Sequence, residues 1–423
     1  MKKILTIIVG AMFLSGCSTL SQKQDSPTSL EQNNQSNDDT FEQRMKLARK
    51  PYSYVSIDYM DVADGKEELY LEVERSWEKI HQKLTEEGKI LGWGLAKARK
   101  NNFDYEYITW KLVRSRGDLD HVYDFDAIKQ SMGENKFDNL MSKTMESRKI
   151  VGNELLALED YTLPSLPGLG EKNDPNNLYF HFFYMTPTEG KDQEYVEMEK
   201  NVFQPRHQKM SELTPDFISW RLYRKIADSG RANETSYRTL HFHRKDAKPL
   251  SNDEQQKVNL TLPAFPKDLK FEDVMAMRKV ERVTFDVILM TDSSKNAEAK
   301  TWKELVGTWT ATNKDGSYRT KTISPYTEQI KMIDSSGELI HSGKTPMSIE
   351  IKNGLKFFSA HWPNGTYTSV FKIHNDKWYE QTKNILSSNS GKPDIFYIYE
   401  RSDKPATIDR SAFTKKGKDV GLV

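Results

Sequence analysis

Cysteine is all but missing from this chain: Cys17 is the single one in 423 residues. A lone cysteine permits no internal disulfide, which excludes the stapled scaffold of many small secreted domains. Charge of one sign is missing as well. Lysine and arginine number 62 against 61 acidic residues, a formal +1, and no basic stripe marks a nucleic-acid footprint. The familiar short catalytic signatures are lacking: the Gly-x-Ser-x-Gly elbow, the His-Glu-x-x-His pair, the Walker loop and the Gly-x-Gly-x-x-Gly turn. Glu72 with Glu74, and Glu197 with Glu199, stand two apart on expected helices. They therefore point to differing faces and read as solvated rather than as acid–base pairs.

What is present is a long internal repeat. Tyr59-Met60 recurs as Tyr184-Met185, Gly65-Lys66 as Gly190-Lys191, and Tyr70 as Tyr195. His81-Gln82-Lys83 recurs as His207-Gln208-Lys209, Trp93 as Trp220, and Arg148-Lys149 as Arg278-Lys279. A period this long lies beyond the solenoid range and implies a duplicated domain.

Both copies spell the same order of elements. In the first, residues 54–59 alternate as a strand, and Leu69, Val73, Trp77, Ile80 and Leu84 recur at helical steps until Gly88. Residues 90–99 and 105–114 read as a hairpin, 136–147 as a second helix and 150–158 as a closing strand. The second copy places strands at 178–185, 217–225, 236–244 and 283–290, with helices at 193–213 and 271–278. Pro205 should kink the longer helix.

The order β-α-β-β-α-β is the ferredoxin-like arrangement. The expected fold class is α+β: two ferredoxin-like repeats forming one α+β barrel within a single chain, followed by an all-β barrel. The duplicated part resembles the dimeric α+β barrel superfamily, which holds antibiotic-biosynthesis monooxygenases, chlorite dismutases, and EthD-like and NIPSNAP-like domains. The resemblance covers about residues 50–292 and rests on element order and duplication. It implies members that range from enzymes, some of them haem proteins, to domains without known activity, so fold alone leaves function open.

From Thr301 onward the pattern changes to short alternating strands broken by turn residues, such as Lys314-Asp315-Gly316-Ser317 and Pro363-Asn364-Gly365. Eight or nine strands fit an up-and-down barrel. Gly307-Thr308-Trp309 resembles the Gly-x-Trp that opens lipocalin-like barrels. That resemblance implies a floor in which Arg401, at the end of a closing strand from Phe396, stacks on Trp309.

The start of the chain is a targeting segment. Lys2 and Lys3 precede an apolar run, Ile4 to Phe13, that is too short to span a bilayer. Leu14-Ser15-Gly16-Cys17 then resembles the lipobox of a bacterial lipoprotein, which implies lipid on the Cys17 thiol and cleavage before it. Several acyl chains hold a protein firmly where one does not. Ser18 in place of Asp points to the outer membrane, with the body facing the periplasm. The expected divisions are a signal with lipidated Cys over 1–17, a disordered tether over 18–45 and repeats over 46–165 and 166–295. A lipocalin-like barrel over 296–405 and a flexible tail over 406–423 complete them.

If the repeats close into a barrel, one strand face packs on helices and the other lines the interior. The apolar faces, including Val55, Ile57, Tyr59, Phe180, Phe182, Tyr184, Leu112, Leu240 and Phe242 with Trp93, Trp110 and Trp220, are expected under the helices. The opposite faces then bring Ser56, Asp58, His181, Arg221, Tyr223, His241 and His243 inward, where they suit an anionic or aromatic ligand, a metal or haem. The competing expectation is an interior filled by packing. His81 and His207, being repeated, read as packing groups. No catalytic residue, metal ligand or cofactor is assigned, and haem is the cofactor the superfamily brings into consideration. The leading expectation is a non-enzymatic, lipid-anchored envelope protein that binds a small hydrophobic or aromatic molecule, or a partner, through its barrels. The alternative is a monooxygenase-like or haem-handling enzyme using His181, His241 and His243.

Overall fold

A computed structural model describes residues 40–100, 103–163, 174–229, 235–267, 269–352, 354–375, 377–382 and 395–401. Cys17, most of the expected tether and the tail lie outside the described residues. The described residues divide into two compact units, one within Pro51–Thr85 and Lys89–Ser293, the other within Asn33–Lys50, Glu86–Gly88 and Ser294–Val423. Among the described residues no helix is long and apolar enough to cross a membrane.

Before the first repeat stands helix α1 (Phe41–Ala48). Its start is a capping box: the Thr40 hydroxyl accepts from the Gln43 N–H at 3.2 Å, and the Gln43 side chain accepts from the Thr40 N–H at 2.8 Å. The tether expected to reach residue 45 therefore meets a helix at Phe41, and α1 belongs with the C-terminal unit, packing on its sheet.

The first repeat runs β1 (Tyr54–Val62), α2 (Glu67–Glu86), β2 (Gly92–Ala98), β3 (Tyr107–Val113), α3 (Phe125–Met132), α4 (Glu134–Ser147) and β4 (Arg148–Tyr161). The second runs β5 (Leu178–Pro187), α5 (Asp192–Met198), α6 (Gln204–Leu213), β6 (Phe217–Ser229), β7 (Tyr237–Arg244), α7 (Asn252–Thr261), α8 (Phe271–Ala276) and β8 (Arg278–Met290). A π-helical turn, Glu199–Phe203, joins α5 to α6. It stands where the kink was expected: Pro205 has no N–H, and the Gln204 N–H just before it reaches back five residues to the Glu199 carbonyl.

The eight strands close in the order β1-β3-β2-β8-β5-β7-β6-β4, each neighbouring pair antiparallel. Each repeat supplies the ferredoxin-like order, β4-β1-β3-β2 and β8-β5-β7-β6. The free edges then meet across the duplication, Leu95 opposite Leu289 and Leu156 opposite Lys225. Closure leaves no strand edge exposed.

The repeated His-Gln-Lys…Trp motif forms a lock between the copies. Trp93 of β2 exchanges hydrogen bonds with Thr291, just past β8: its N–H donates to the Thr291 hydroxyl at 3.0 Å, and its carbonyl accepts from the Thr291 N–H at 3.0 Å. Trp220 and Thr162, just past β4, repeat this at 2.9 and 3.0 Å. The glutamines clamp the next residue. Gln82 Oε1 accepts from the Asp292 N–H at 2.7 Å, and Gln208 Oε1 accepts from the Leu163 N–H at 2.6 Å. The histidines stack on the tryptophans, His81 on Trp93 at 4.6 Å and His207 on Trp220 at 5.5 Å. Each repeat thus grips the end of the other's last strand.

Glu74 and Glu199 are buried beside Arg148 (3.2 Å) and Arg278 (3.8 Å), contrary to the solvated reading, while Glu72 and Glu197 are exposed. Helical phase explains the difference. Glu74 and Glu199 lie four residues past the buried Tyr70 and Tyr195 on the same helix face, and Glu72 and Glu197 do not.

The C-terminal unit adds α9 (Ala297–Leu305) and a meander of β9 (Gly307–Thr312), β10 (Tyr318–Ser324), β11 (Thr327–Ile333), β12 (Leu339–Lys352), β13 (Leu355–Trp362), β14 (Gly365–His374), β15 (Lys377–Thr382) and β16 (Ile395–Glu400). It closes through β16 and β9, with Glu400 opposite Thr310. Trp309 is buried at one end, its indole N–H donating to the Leu305 carbonyl at 2.6 Å. The Arg401 guanidinium lies 4.8 Å from its ring and donates to the Glu304 and Val306 carbonyls at 2.7 and 2.8 Å. Gly307 has φ 138°, a conformation other residues resist, in the turn beneath that guanidinium.

Candidate functional site

The interior of the α+β barrel is full. Val55, Ile57, Tyr59, Leu112, Phe180, Phe182, Tyr184, Leu240 and Phe242 meet in one core drawn from both repeats, with Trp110 packed against it. These side chains were expected under the helices. Trp93, Leu95, Trp220 and Leu222 do lie there, in separate outer clusters. A cavity of about 30 Å³ remains inside, lined by Tyr52, Trp110, Arg221 and Tyr223 among others, which is room for a water or two.

Two polar groups are embedded in this core. Glu154 and Arg238, both fully buried, form a two-pronged ion pair at 2.6 and 3.2 Å. The Tyr59 hydroxyl donates to Glu154 at 2.9 Å, and the Tyr105 and Tyr184 hydroxyls lie 2.7 Å apart. At the other end Arg221 stacks 5.2 Å over Tyr52, whose hydroxyl lies 2.5 Å from that of Tyr223. Burial pushes the Tyr52, Tyr59 and Tyr184 phenols well above their ordinary value, so they stay protonated.

Of the seven residues expected to converge inside, Arg221 and Tyr223 face the interior. Ser56, Asp58, His181, His241 and His243 are on the outer face of the sheet: Ser56 and Asp58 belong to the first repeat, while the three histidines gather on the second, His181 opposite His241 in the β5–β7 register and 5.1 Å from His243. Asp58 pairs with Lys111 at 2.9 Å in the first repeat. His241 packs against His207 at 4.8 Å and Phe183 at 4.8 Å. His181 Nδ1 is 2.9 Å from the Thr284 hydroxyl, and His243 lies 3.4 Å from Asp216. The physical reason is that the aromatic residues alternating with these histidines, Phe180, Phe182 and Phe242, fill the barrel. Burial lowers the histidine pKa values, to about 4 for His181 and about 3 for His207, so all stay neutral near pH 7. Among the described residues no three His, Cys, Asp or Glu side chains are grouped to hold a metal. Haem does not fit the histidines named for it, since they are packed against helix and sheet and the interior has no room for a macrocycle.

Among the described residues two larger open spaces stand out. One is a trough of about 950 Å³ on the outer face of the first repeat, where Asp58–Lys111 and Glu74–Arg148 are already paired. The other is a cavity of about 350 Å³ within the C-terminal barrel. Ile330, Met332, Phe358, Ala360, Trp362 and Tyr367 give it a mostly apolar wall. Trp362 reaches over β12 because position 343 is glycine: a Cβ there would stand 2.8 Å from the indole. A charged cluster lies at the cavity's buried side. Lys321 Nζ is 2.7 Å from Glu380 and 3.7 Å from Glu328, and 4.5 and 4.7 Å from the Phe358 and Trp378 rings. The Ser369 hydroxyl donates to Glu380 at 3.0 Å. Burial raises Glu328. Burial pushes Glu380 the same way, but Lys321 beside it holds it below its ordinary value. No sequence signal singled out this cluster, because its members are scattered charges on alternating strands that elsewhere mean a solvated face.

No family model and no curated protein matches the chain. Among solved structures, an anthrone oxidase-like protein is similar over 58% of this chain and 95% of its own, at 14% identity and a TM-score of 0.35. A mutant chlorite dismutase from Candidatus Nitrospira defluvii, solved with cyanide, is similar over 58% and 95%, at 10% identity and 0.31. The wild-type fluorescent protein UnaG is similar over 24% of this chain and 98% of its own, at 13% identity and 0.17. Likenesses this distant carry no activity across, and the architecture stands on strand order and register.

Proposed function

We propose that this chain is a non-enzymatic, lipid-anchored envelope protein whose C-terminal barrel holds a small, largely apolar or aromatic molecule. One observation carries the binding part: the C-terminal barrel holds a partly open pocket of about 350 Å³ with mostly apolar walls and a few converging polar groups, within the range of ligand pockets, while the larger barrel is filled. The anchoring part is supported by the lipobox-like Leu14-Ser15-Gly16-Cys17, and Ser18 favours the outer membrane. The α+β barrel then acts as a rigid body carried at the membrane. The monooxygenase-like or haem-handling alternative keeps the fold, but its three histidines stand on the outer face of the second repeat and not in the barrel interior.

Protein purified from its own host should carry a small-molecule adduct in native mass spectrometry and partition with membranes. Cys17→Ser should release it to the soluble fraction. Two empty barrels would overturn the binding reading, and membrane retention of Cys17→Ser the anchoring one.

A further inference from the structure

Resting on the reading that the C-terminal barrel binds a ligand, we infer that the ligand is a small uncharged aromatic molecule carrying a hydroxyl or N–H group, which it donates to Glu328. Glu328 sits on β11, fully buried, and lines the cavity. Neither of its carboxyl oxygens takes part in a hydrogen bond. Arg319 and Lys321 act on it electrostatically; Lys321 is 3.7 Å away and directed to Glu380 at 2.7 Å, where Ser369 also donates. A buried carboxyl group with no hydrogen bond is costly, so a ligand that supplies the missing donor is held better than one of equal shape that does not.

The rest of the cavity sets the other two terms. Phe358 and Trp362 line it together with Ile330, Met332 and Ala360, which suits an apolar, aromatic body. Arg319 and Lys321 balance Glu328 and Glu380 in formal charge, so an ionic ligand would bring an uncompensated charge into a low-dielectric space. A free carboxylate would also lie against the two glutamates. An uncharged donor meets neither penalty.

Titration calorimetry on the full chain near neutral pH tests this with three probes of one shape: naphthol, methylnaphthalene and naphthoate. Naphthol is expected to bind about tenfold tighter than methylnaphthalene, the worth of one hydrogen bond to a buried carboxylate, and naphthoate more weakly than either. In Glu328→Leu the preference for naphthol over methylnaphthalene should fall to about one. In Glu328→Gln, which keeps size and a weaker acceptor, it should fall several-fold, and this variant decides the matter should the leucine variant fail to fold. Binding of none of the three would overturn the binding reading itself. Binding with no preference for naphthol, a preference unchanged in Glu328→Gln, or tightest binding of naphthoate would overturn the ligand class while leaving the site.

Discussion

Removing one partner of the Glu154–Arg238 pair leaves a charge buried without compensation, which costs about 3–5 kcal/mol. Both side chains are fully buried. Arg238→Met should therefore lower the denaturation free energy of the α+β barrel by about that much, and adding Glu154→Leu should recover most of it. A wild-type midpoint for Arg238→Met would contradict the pair's role. The outer histidines predict a pH dependence. His181 and His207 titrate at about 4 and about 3 in the folded chain, below the ordinary value near 6.5. The unfolded chain then takes up protons first on acidification, so stability present above about pH 6.5 is lost progressively toward about pH 3. Thermal midpoints should follow that course, less steeply in His207→Phe; a flat wild-type profile would count against it. At this scale the sequence said least. Strands packed by helices outside and by rings inside are apolar on both faces, so the alternation of Val55, Ile57 and Tyr59 against Tyr54, Met60 and Val62 could not say which face was inward. Glu154 and Arg238 carried no pattern at all.

Among the elements, the cross-repeat locks are the main finding. Gln208 contributes two hydrogen bonds to the backbone of Leu163. Gln208→Ala should cost about 1–2 kcal/mol and speed hydrogen exchange at the Thr162 amide, which reports the end of β4. Unchanged exchange there would show that Gln208 holds nothing. The repeat itself was plain in the sequence, but its meaning depended on Thr162 and Thr291, two threonines in otherwise unlike surroundings. Helices α3 and α7 escaped notice for a similar reason. They are announced by caps, Asp124 accepting from Ala127 N–H and the Ser251–Glu254 box, and not by a long apolar stripe.

For the whole molecule, duplication made the fold legible: the same six-element order twice over can satisfy its open edges by closing on itself, and strand order bears this out. The turn spacing after Thr301 likewise announced a closed meander. Where the free volume would lie was not legible, because cavity size is a residue-by-residue balance of ring against strand. Trp110, Phe180 and Phe242 fill one barrel, while Ala360 and the reach of Trp362 over Gly343 keep the other open. The measurement that tests this most directly compares host-purified wild-type protein with Ala360→Trp by native mass spectrometry. The wild type should carry one small-molecule adduct per chain, and Ala360→Trp, folded but with its cavity filled, should carry none. An adduct that survives in Ala360→Trp would place the ligand elsewhere and contradict the account.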